Sequence, residues 1–422
     1  MRIRPGIRWK IVWILFLSTA INYINRQTFS LLTPVISAEF HLNHQDLSRI
    51  ISAFQQAYAW TWLIGGVVLD LIGTRLGLAL AVIWWSAASV CTGFANSVAS
   101  FSFWRFLLGI GEGLNWPGAS KAVAEWFPAR ERGLAVAIFD SGSSVGGAIA
   151  AVVIPLISLT FGWRQAFALS GVLGLVWLAL WLRVYYPRSR HPRLTPEEAA
   201  IIKEDTDREG REPFWNALPK LLKSRNAWGI LLGRSLTDPL WWFFVFWLPQ
   251  YLSDARGFSL KQIAAFAWIP FVAADIGNFT GGWFSGVLIK RGMPVIRARK
   301  WVCVATCIPM LAVIPAVFVP SATSAIALIC IALWGYAAWS TMGLTFPSDL
   351  FDAGVVGTVT GLSGWGAGMA STAITLAVGI IVDRFSYVPV FLMITALPFL
   401  ATISVLALIR PAVRTRDLVT AG

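Results

Sequence analysis

About twelve apolar runs recur along this chain, and they set the terms for its fold. Each is close to the roughly 20 residues that a helix needs to cross a hydrocarbon core of about 30 Å. They fall at 11–36, 48–69, 76–95, 100–126, 133–158, 164–186, 226–252, 261–289, 300–320, 324–348, 355–382 and 388–410. In lipid every backbone N–H and C=O must be satisfied within its own segment, so runs of this length are helices. The expected fold class is all-α and integral to a membrane, with twelve transmembrane helices. Composition agrees, since 57% of the 422 residues are hydrophobic and 13% are charged, a balance foreign to soluble domains of this size.

The formal charge of +13 would suggest a nucleic-acid partner in a soluble protein. Here the Lys and Arg residues lie between the apolar runs and read as topology signals instead. Arg2, Arg4, Arg8, Lys10, Arg75, Arg130, Arg132, the whole 187–225 segment, Lys290, Arg291, Arg297, Arg299, Lys300, Arg410, Arg414 and Arg416 all fall on one side by alternation. Basic loops stay in the cytoplasm, so both termini are expected there. The opening MRIRPGIRWK leads into an apolar run too long for a signal-peptide core and without a small-residue cleavage site, so the first helix is expected to remain. The 23 tryptophans suit interfacial belts and an aromatic-lined cavity. Cys91, Cys303, Cys307 and Cys330 sit inside apolar runs and read as packing residues, with no disulfide framework.

One long polar interval, 187–225, divides the spans six and six. The expected domains are therefore 1–186 and 226–422, each a six-helix bundle, joined by a cytoplasmic linker. Within it TPEEAAIIKED carries a Thr three residues before a Glu, which predicts a capped amphipathic helix. The two halves also echo one another at a nearly constant offset. GGVVLDLIGTR corresponds to GGWFSGVLIKRG, Trp116–Pro117 to Phe346–Pro347, and FGWRQAF to FSYVPVF. Such an internal repeat is the trace of a duplicated transporter with its site between the halves.

The most informative stretch is RFLLGIGEGLNWP, residues 105–117. It places a carboxylate, Glu112, inside an apolar span, where a charge costs at least about 2.5 kcal/mol and is normally paired, wet and functional. Arg26 lies about halfway through the first span, where a cation must meet an anion or water. Burial favours a neutral carboxyl and a neighbouring guanidinium favours the ionised one. Proton uptake by Glu112 can thus depend on whether Arg26 is occupied by a substrate anion. A permanent ion pair that only packs helices is the alternative. Asn115, three residues on, shares a helix face with Glu112, and Pro117 is expected to bend the helix. Arg234 and Asp238 are spaced for an intrahelical pair. No Ser/His/Asp set or metal-ligand cluster stands out, and His41, His44 and His191 all lie outside the spans. An enzyme, a metal site and a cofactor other than a coupling proton are not expected.

The arrangement resembles the major facilitator superfamily. Its loop signature Gly-x3-Asp-x2-Gly-x-Arg is present as Gly66, Asp70, Gly73 and Arg75, and its fourth-helix arginine with spaced glycines as Arg105, Gly109 and Gly113. INYINRQTFSLLTPVI, GEGLNWPGASKAVAEWFPARERGLAVAIFDSGSSVG and FGWRQAF look like the anion:cation symporters of organic acids. GRSLTDPLWWFFVFWLPQYL and FAWIPFVAADIGNFTGGW are similar to the hexuronate branch.

The resemblance implies a monomeric, multi-pass carrier in a bacterial inner membrane that imports a sugar acid with protons by alternating access. An exchanger or uniporter of another organic anion, such as an aldonate or aldarate, is the alternative. It implies substrate contact at Arg26, Gln55, Tyr58, Asn115, Ser143, Trp339, Ser363 and Trp365, with Trp241 and Trp242 as further stacking candidates. Proton coupling would fall to Glu112, with Asp140 and Asp238 as further titrating candidates. Asp70, Arg75, Arg130 and Arg132 would form the cytoplasmic gating contact. Many members carry an aspartate before the first-helix arginine; here it is Asn25, which cannot take up a proton near neutral pH.

Overall fold

In the computed structural model, residues 6–196, 198–199, 214–351 and 353–411 are described, and nearly all of them are helical. The helices are α1 (Ile7–Phe40), α2 (His44–Ile72), α3 (Thr74–Thr92), α4 (Val98–Gly113), α5 (Asn115–Trp126), α6 (Ala129–Phe161) and α7 (Trp163–Val184). After the polar interval come α8 (Phe214–Leu222), α9 (Arg225–Arg256), α10 (Leu260–Phe266), α11 (Ile269–Lys290), α12 (Val295–Cys307), α13 (Val313–Phe318), α14 (Ala322–Leu350), α15 (Ala353–Arg384) and α16 (Tyr387–Leu408). Most of the apolar runs predicted from the sequence follow a single helix, while 100–126 is divided between α4 and α5, 261–289 between α10 and α11, and 300–320 between α12 and α13. The predicted linker helix is met at its cap, where Thr195 Oγ1 accepts from the Glu198 N–H at 3.3 Å; most of its remainder lies outside the described residues.

Among the described residues nine stretches are both long and apolar enough to cross a membrane. The long helices left out are α2, the α4–α5 pair and α9, which carry Gln55, Tyr58 and Asp70, Arg105 and Glu112, and Arg234 and Asp238. Their lower hydropathy is the signature of the polar groups placed along them.

The break between α4 and α5 falls at Leu114, three residues before Pro117. Proline has no N–H to give the carbonyl four residues back, which is that of Gly113, so the helix parts there. The corresponding Pro347 lies inside an unbroken α14.

In the first half α1 packs on α6 and α7, α2 on α4, and α3 on α4 and α7. In the second half α11 and α12 pack on α14, and α9 on α15 and α16. Small residues allow the closest crossings. A Cβ on Gly146 of α6 would run into the Ala20 carbonyl of α1, and one on Gly109 of α4 into the Phe54 carbonyl of α2. The two halves meet along α2–α15, α1–α9, α6–α10 and α6–α11. On the α1–α9 seam the Ser30 hydroxyl lies 2.8 Å from the Val245 carbonyl and 2.9 Å from that of Phe246.

Between the halves lies a cavity of about 820 Å³. It runs from Arg26 and Tyr58 in mid-helix to Asp70 in the last turn of α2 and Gly354, Val356 and Gly357 in the first turns of α15. At the other end of the same helix pair, His44 opening α2 is bonded to Asp383 near the end of α15. The two helices are thus tied at one end and parted at the other.

One basic cluster differs from the expected loop. Arg297, Arg299 and Lys300 fall within α12, which begins at Val295. Arg299 meets Asp349 of α14 at 3.2 Å and Ser285 of α11 at 2.9 Å. A cation with a carboxylate partner can enter the helix instead of staying in the connection.

Candidate substrate and coupling site

Arg26 lies on the cavity wall and is only 1% exposed. Its Nε donates to Glu112 Oε2 at 3.1 Å and its Nη2 to Asn22 Oδ1 at 3.1 Å. The guanidinium carbon sits 4.5 Å from the Tyr58 ring centroid, 4.6 Å from Tyr23, 5.3 Å from Phe54 and 5.4 Å from Trp242. Four aromatic faces around one planar cation hold its fork by cation–π attraction without consuming its donors. Glu112, fully buried on α4, stands behind Arg26 and does not line the cavity. Its Oε1 has no hydrogen-bond partner among the described residues. The expected Arg26–Glu112 pair is therefore formed, with the cation toward the cavity and the carboxylate behind it.

Two turns earlier on α4, Arg105 is also fully buried, over the rings of Phe54 at 4.5 Å and Phe29 at 5.2 Å. Among the described residues none of its three side-chain nitrogens has a hydrogen-bond partner.

On the facing wall stand Arg234, Asp238, Trp241 and Trp242 of α9 and Tyr336 of α14. Arg234 Nη2 donates to Asp238 Oδ2 at 2.9 Å, and Nη1 to Ser363 Oγ of α15 at 3.4 Å. Tyr336 donates to Asp238 Oδ1 at 3.2 Å. The intrahelical pair read from the spacing is thus present, with a tyrosine added from another helix. Trp241 stacks on Tyr336, centroids 5.7 Å apart, and Trp62 on Trp116 at 5.8 Å, both pairs on the wall.

Other predicted contacts are placed differently. Tyr58 is on the wall, but Gln55, three residues earlier, is buried away from it, and neither amide atom has a partner among the described residues. Asn115 bonds to Ser18 and to Thr19 Oγ1 on α1, the latter at 3.3 Å, which makes it a helix-packing contact. Ser143 is half-buried and off the wall; Ser363 is buried behind it under Arg234. Trp339 is fully buried and donates to Thr402 at 3.0 Å, and Trp365 packs on Trp60, so neither reaches the cavity. Asp140 of α6 does line it.

The expected gating set is also redistributed. Asp70 pairs with Lys121 of α5 at 2.6 Å. Arg75 lies over the Tyr186 ring at 4.0 Å and donates to the Leu182 carbonyl. Arg132 donates to the carbonyls of Phe127 and Ala124 and so closes the end of α5. The side chain of Arg130 lies outside the described residues. At this end the cavity is open between α2 and α15, and these groups find partners within their own half.

Sequence reading missed Tyr23, Trp62, Trp116, Lys121 and Tyr336. Helical spacing could have found two of them, since Tyr23 precedes Arg26 by three residues and Trp62 follows Tyr58 by four. Lys121 was visible as a cation inside an apolar run.

The model of the Major Facilitator Superfamily matches residues 15–373. The chain belongs to the major facilitator superfamily. This is a family of multi-pass membrane transporters, not enzymes. The chain is 32% identical over 410 residues to the hexuronate transporter of Escherichia coli K12, covering 96% of this chain and 94% of that one. It is 34% identical over 301 residues to the galacturonate transporter of Dickeya chrysanthemi, covering 70% and 87%. A probable galactarate/D-glucarate transporter of E. coli K12 is 30% identical over 394 residues, covering 89% and 88%. Among solved structures, a bacterial homologue of the lysosomal transporter Spinster, inward-facing and unoccupied, superposes with a TM-score of 0.74 at 19% identity, covering 96% of this chain and 99% of that one. A D-xylose–proton symporter does so at 0.74 and 16%, covering 96% and 98%. These major facilitator structures share the all-helical fold seen here.

Proposed function

We propose that this chain imports a hexuronate-like sugar acid by proton symport through alternating access. The observation that carries the reading is the layered pair at the cavity wall, with Arg26 facing the cavity and Glu112 sealed behind it. A guanidinium is a planar two-donor fork suited to a carboxylate. When the substrate carboxylate engages Arg26, the cation is shared, Glu112 loses part of its stabilisation, and a proton on Glu112 avoids a stranded buried charge. Asn25 cannot titrate, so in this reading the coupling proton is carried by Glu112 behind Arg26, with Asp140 on the wall as the second titrating candidate. The aromatic wall of Tyr23, Tyr58, Trp62, Trp241 and Trp242 suits the apolar face of a sugar ring.

In this reading the chain crosses the membrane twelve times as two six-helix units, 1–186 and 226–422, with the 187–225 linker and both termini in the cytoplasm. It acts as a monomer and needs no cofactor beyond the proton. The cavity then opens to the cytoplasm, and the His44–Asp383 end faces outward.

The test is uptake of labelled D-glucuronate into proteoliposomes with an acidic exterior. Accumulation above equilibrium, collapsed by a protonophore, is expected. Equilibration that ignores the pH gradient would point to an exchanger or uniporter, and no uptake of any sugar acid would remove the reading.

A further inference from the structure

The two arginines of the cavity are both paired, but their counter-ions are placed differently. The carboxylate of Arg26 is Glu112, fully buried and off the cavity wall. The carboxylate of Arg234 is Asp238, which shares the wall with it. A ligand therefore meets a cation whose counter-ion stands behind it on the α1 side and a cation beside its own anion on the α9 side. Tyr58 lines the same cavity as both arginines, so a ligand in it lies between the two.

Asp238 is also firmly held. Its Oδ2 accepts from Arg234 at 2.9 Å and its Oδ1 from Tyr336 at 3.2 Å. Two donors, one of them charged, fix the position of both oxygens. Arg234 in turn keeps donor capacity in reserve, since its buried Nε has no partner among the described residues.

We propose that Asp238 is the residue that selects sugar acids with one carboxylate over those with two. The inference rests on the proposed transport of a sugar acid with its carboxylate at Arg26. The far end of a hexuronate is uncharged and carries hydroxyls, for which Asp238 is an acceptor and Arg234 and Tyr336 supply donors. An aldarate bears a second carboxylate at that end, and this would sit against the Asp238 carboxylate. Juxtaposed like charges away from bulk water are strongly unfavourable, and such repulsion is how sites reject near-isosteric ligands. Asp238 thus acts by masking Arg234, which would otherwise make a second carboxylate site.

The test compares the affinities of purified protein for D-glucuronate and D-glucarate. The wild-type chain is expected to favour glucuronate by at least about tenfold, and Asp238→Asn to shift the ratio toward glucarate by at least about tenfold. The asparagine removes the charge, keeps one acceptor oxygen for Arg234, and can donate its amide N–H to the Tyr336 hydroxyl oxygen. The double variant Arg234→Gln, Asp238→Asn should lose the gain for glucarate, which a merely structural role of Asp238 would not predict. A ratio unchanged within about threefold in Asp238→Asn overturns the proposal, as does a wild-type preference for glucarate. The wild-type comparison stands even where the variant does not fold. Should the wild-type protein bind neither sugar acid, the transport reading fails; should it bind glucuronate with an unaltered ratio in the variant, only this inference fails.

Discussion

His44 Nδ1 lies 2.7 Å from Asp383 Oδ1 and joins the first turn of α2 to the end of α15 across the seam between the halves. Asp383 also accepts from the backbone N–H groups of His44 and Gln45. On its other side the imidazole Nε2 meets Asp254 of α9 at 2.9 Å, while Trp247 stacks on the ring and Tyr387 donates to the same Asp254. One side chain of the first half is thus clasped by two carboxylates of the second, at the end opposite the open cavity.

This clasp predicts a pH-dependent conformational equilibrium. His44 precedes the apolar span 48–69. Burial pulls its pKa down, but the bonds to Asp254 and Asp383 outweigh it and hold it above its ordinary value. The imidazolium form is therefore favoured in the clasped state. The contribution is complete below the unperturbed value of about 6.5 and fades as pH rises through the raised one. Double-label distance measurements between positions 49 and 385, in a background without the native cysteines, should show the clasped population falling from about pH 5.5 to about pH 8.5. His44→Gln should abolish that dependence. A wild-type distribution flat across the range would contradict it.

Arg26→Lys keeps a positive charge but loses the planar fork. Affinity for glucuronate should fall about 10–100-fold, the worth of one or two charge-assisted bonds. Replacing the substrate carboxylate by an uncharged amide should weaken binding to a similar degree, against a few-fold for loss of one hydroxyl. Calorimetric titration of both ligands against both proteins reads this directly, and equal losses would argue against a carboxylate clamp.

Glu112→Gln retains the hydrogen-bonding shape beside Arg26 without the titratable group. Exchange of labelled for unlabelled glucuronate between loaded vesicles should persist, while accumulation driven by a pH gradient should cease. Undiminished accumulation would place the coupling proton elsewhere, with Asp140 on the cavity wall the next group to test.

Gly146→Val would push a branched side chain into the Ala20 carbonyl, where α6 crosses α1. Overpacking of this kind costs about 1–3 kcal/mol. A lowered melting temperature in detergent is expected. Gly133→Ala on the same helix, with open space at its Cβ, should melt like the wild type.

The sequence by itself determined the elements and the chemistry they carry. Membrane helices announce themselves through uninterrupted apolar length, because lipid leaves the backbone no outside partner. The long rods therefore follow the apolar runs, and Arg26 and Glu112 stood out as charges that such runs do not tolerate without a reason. Only the tertiary structure decided which polar residues share the cavity. Helical spacing says which residues share a face but not what that face meets. Asn115 shares a helix face with Glu112, yet packs on Ser18 and Thr19 because α5 leaves α4 at the Pro117 break. Trp339 is buried in helix packing and the half-buried Trp365 packs on Trp60, while Trp241 and Trp242 form the wall, a difference set by how α9, α14 and α15 are rotated about their axes. The partner of Asp70 was equally out of reach of sequence. Lys121 lies 51 residues away, and its contact exists because α5 packs on α2 at the end where α2 and α15 are parted.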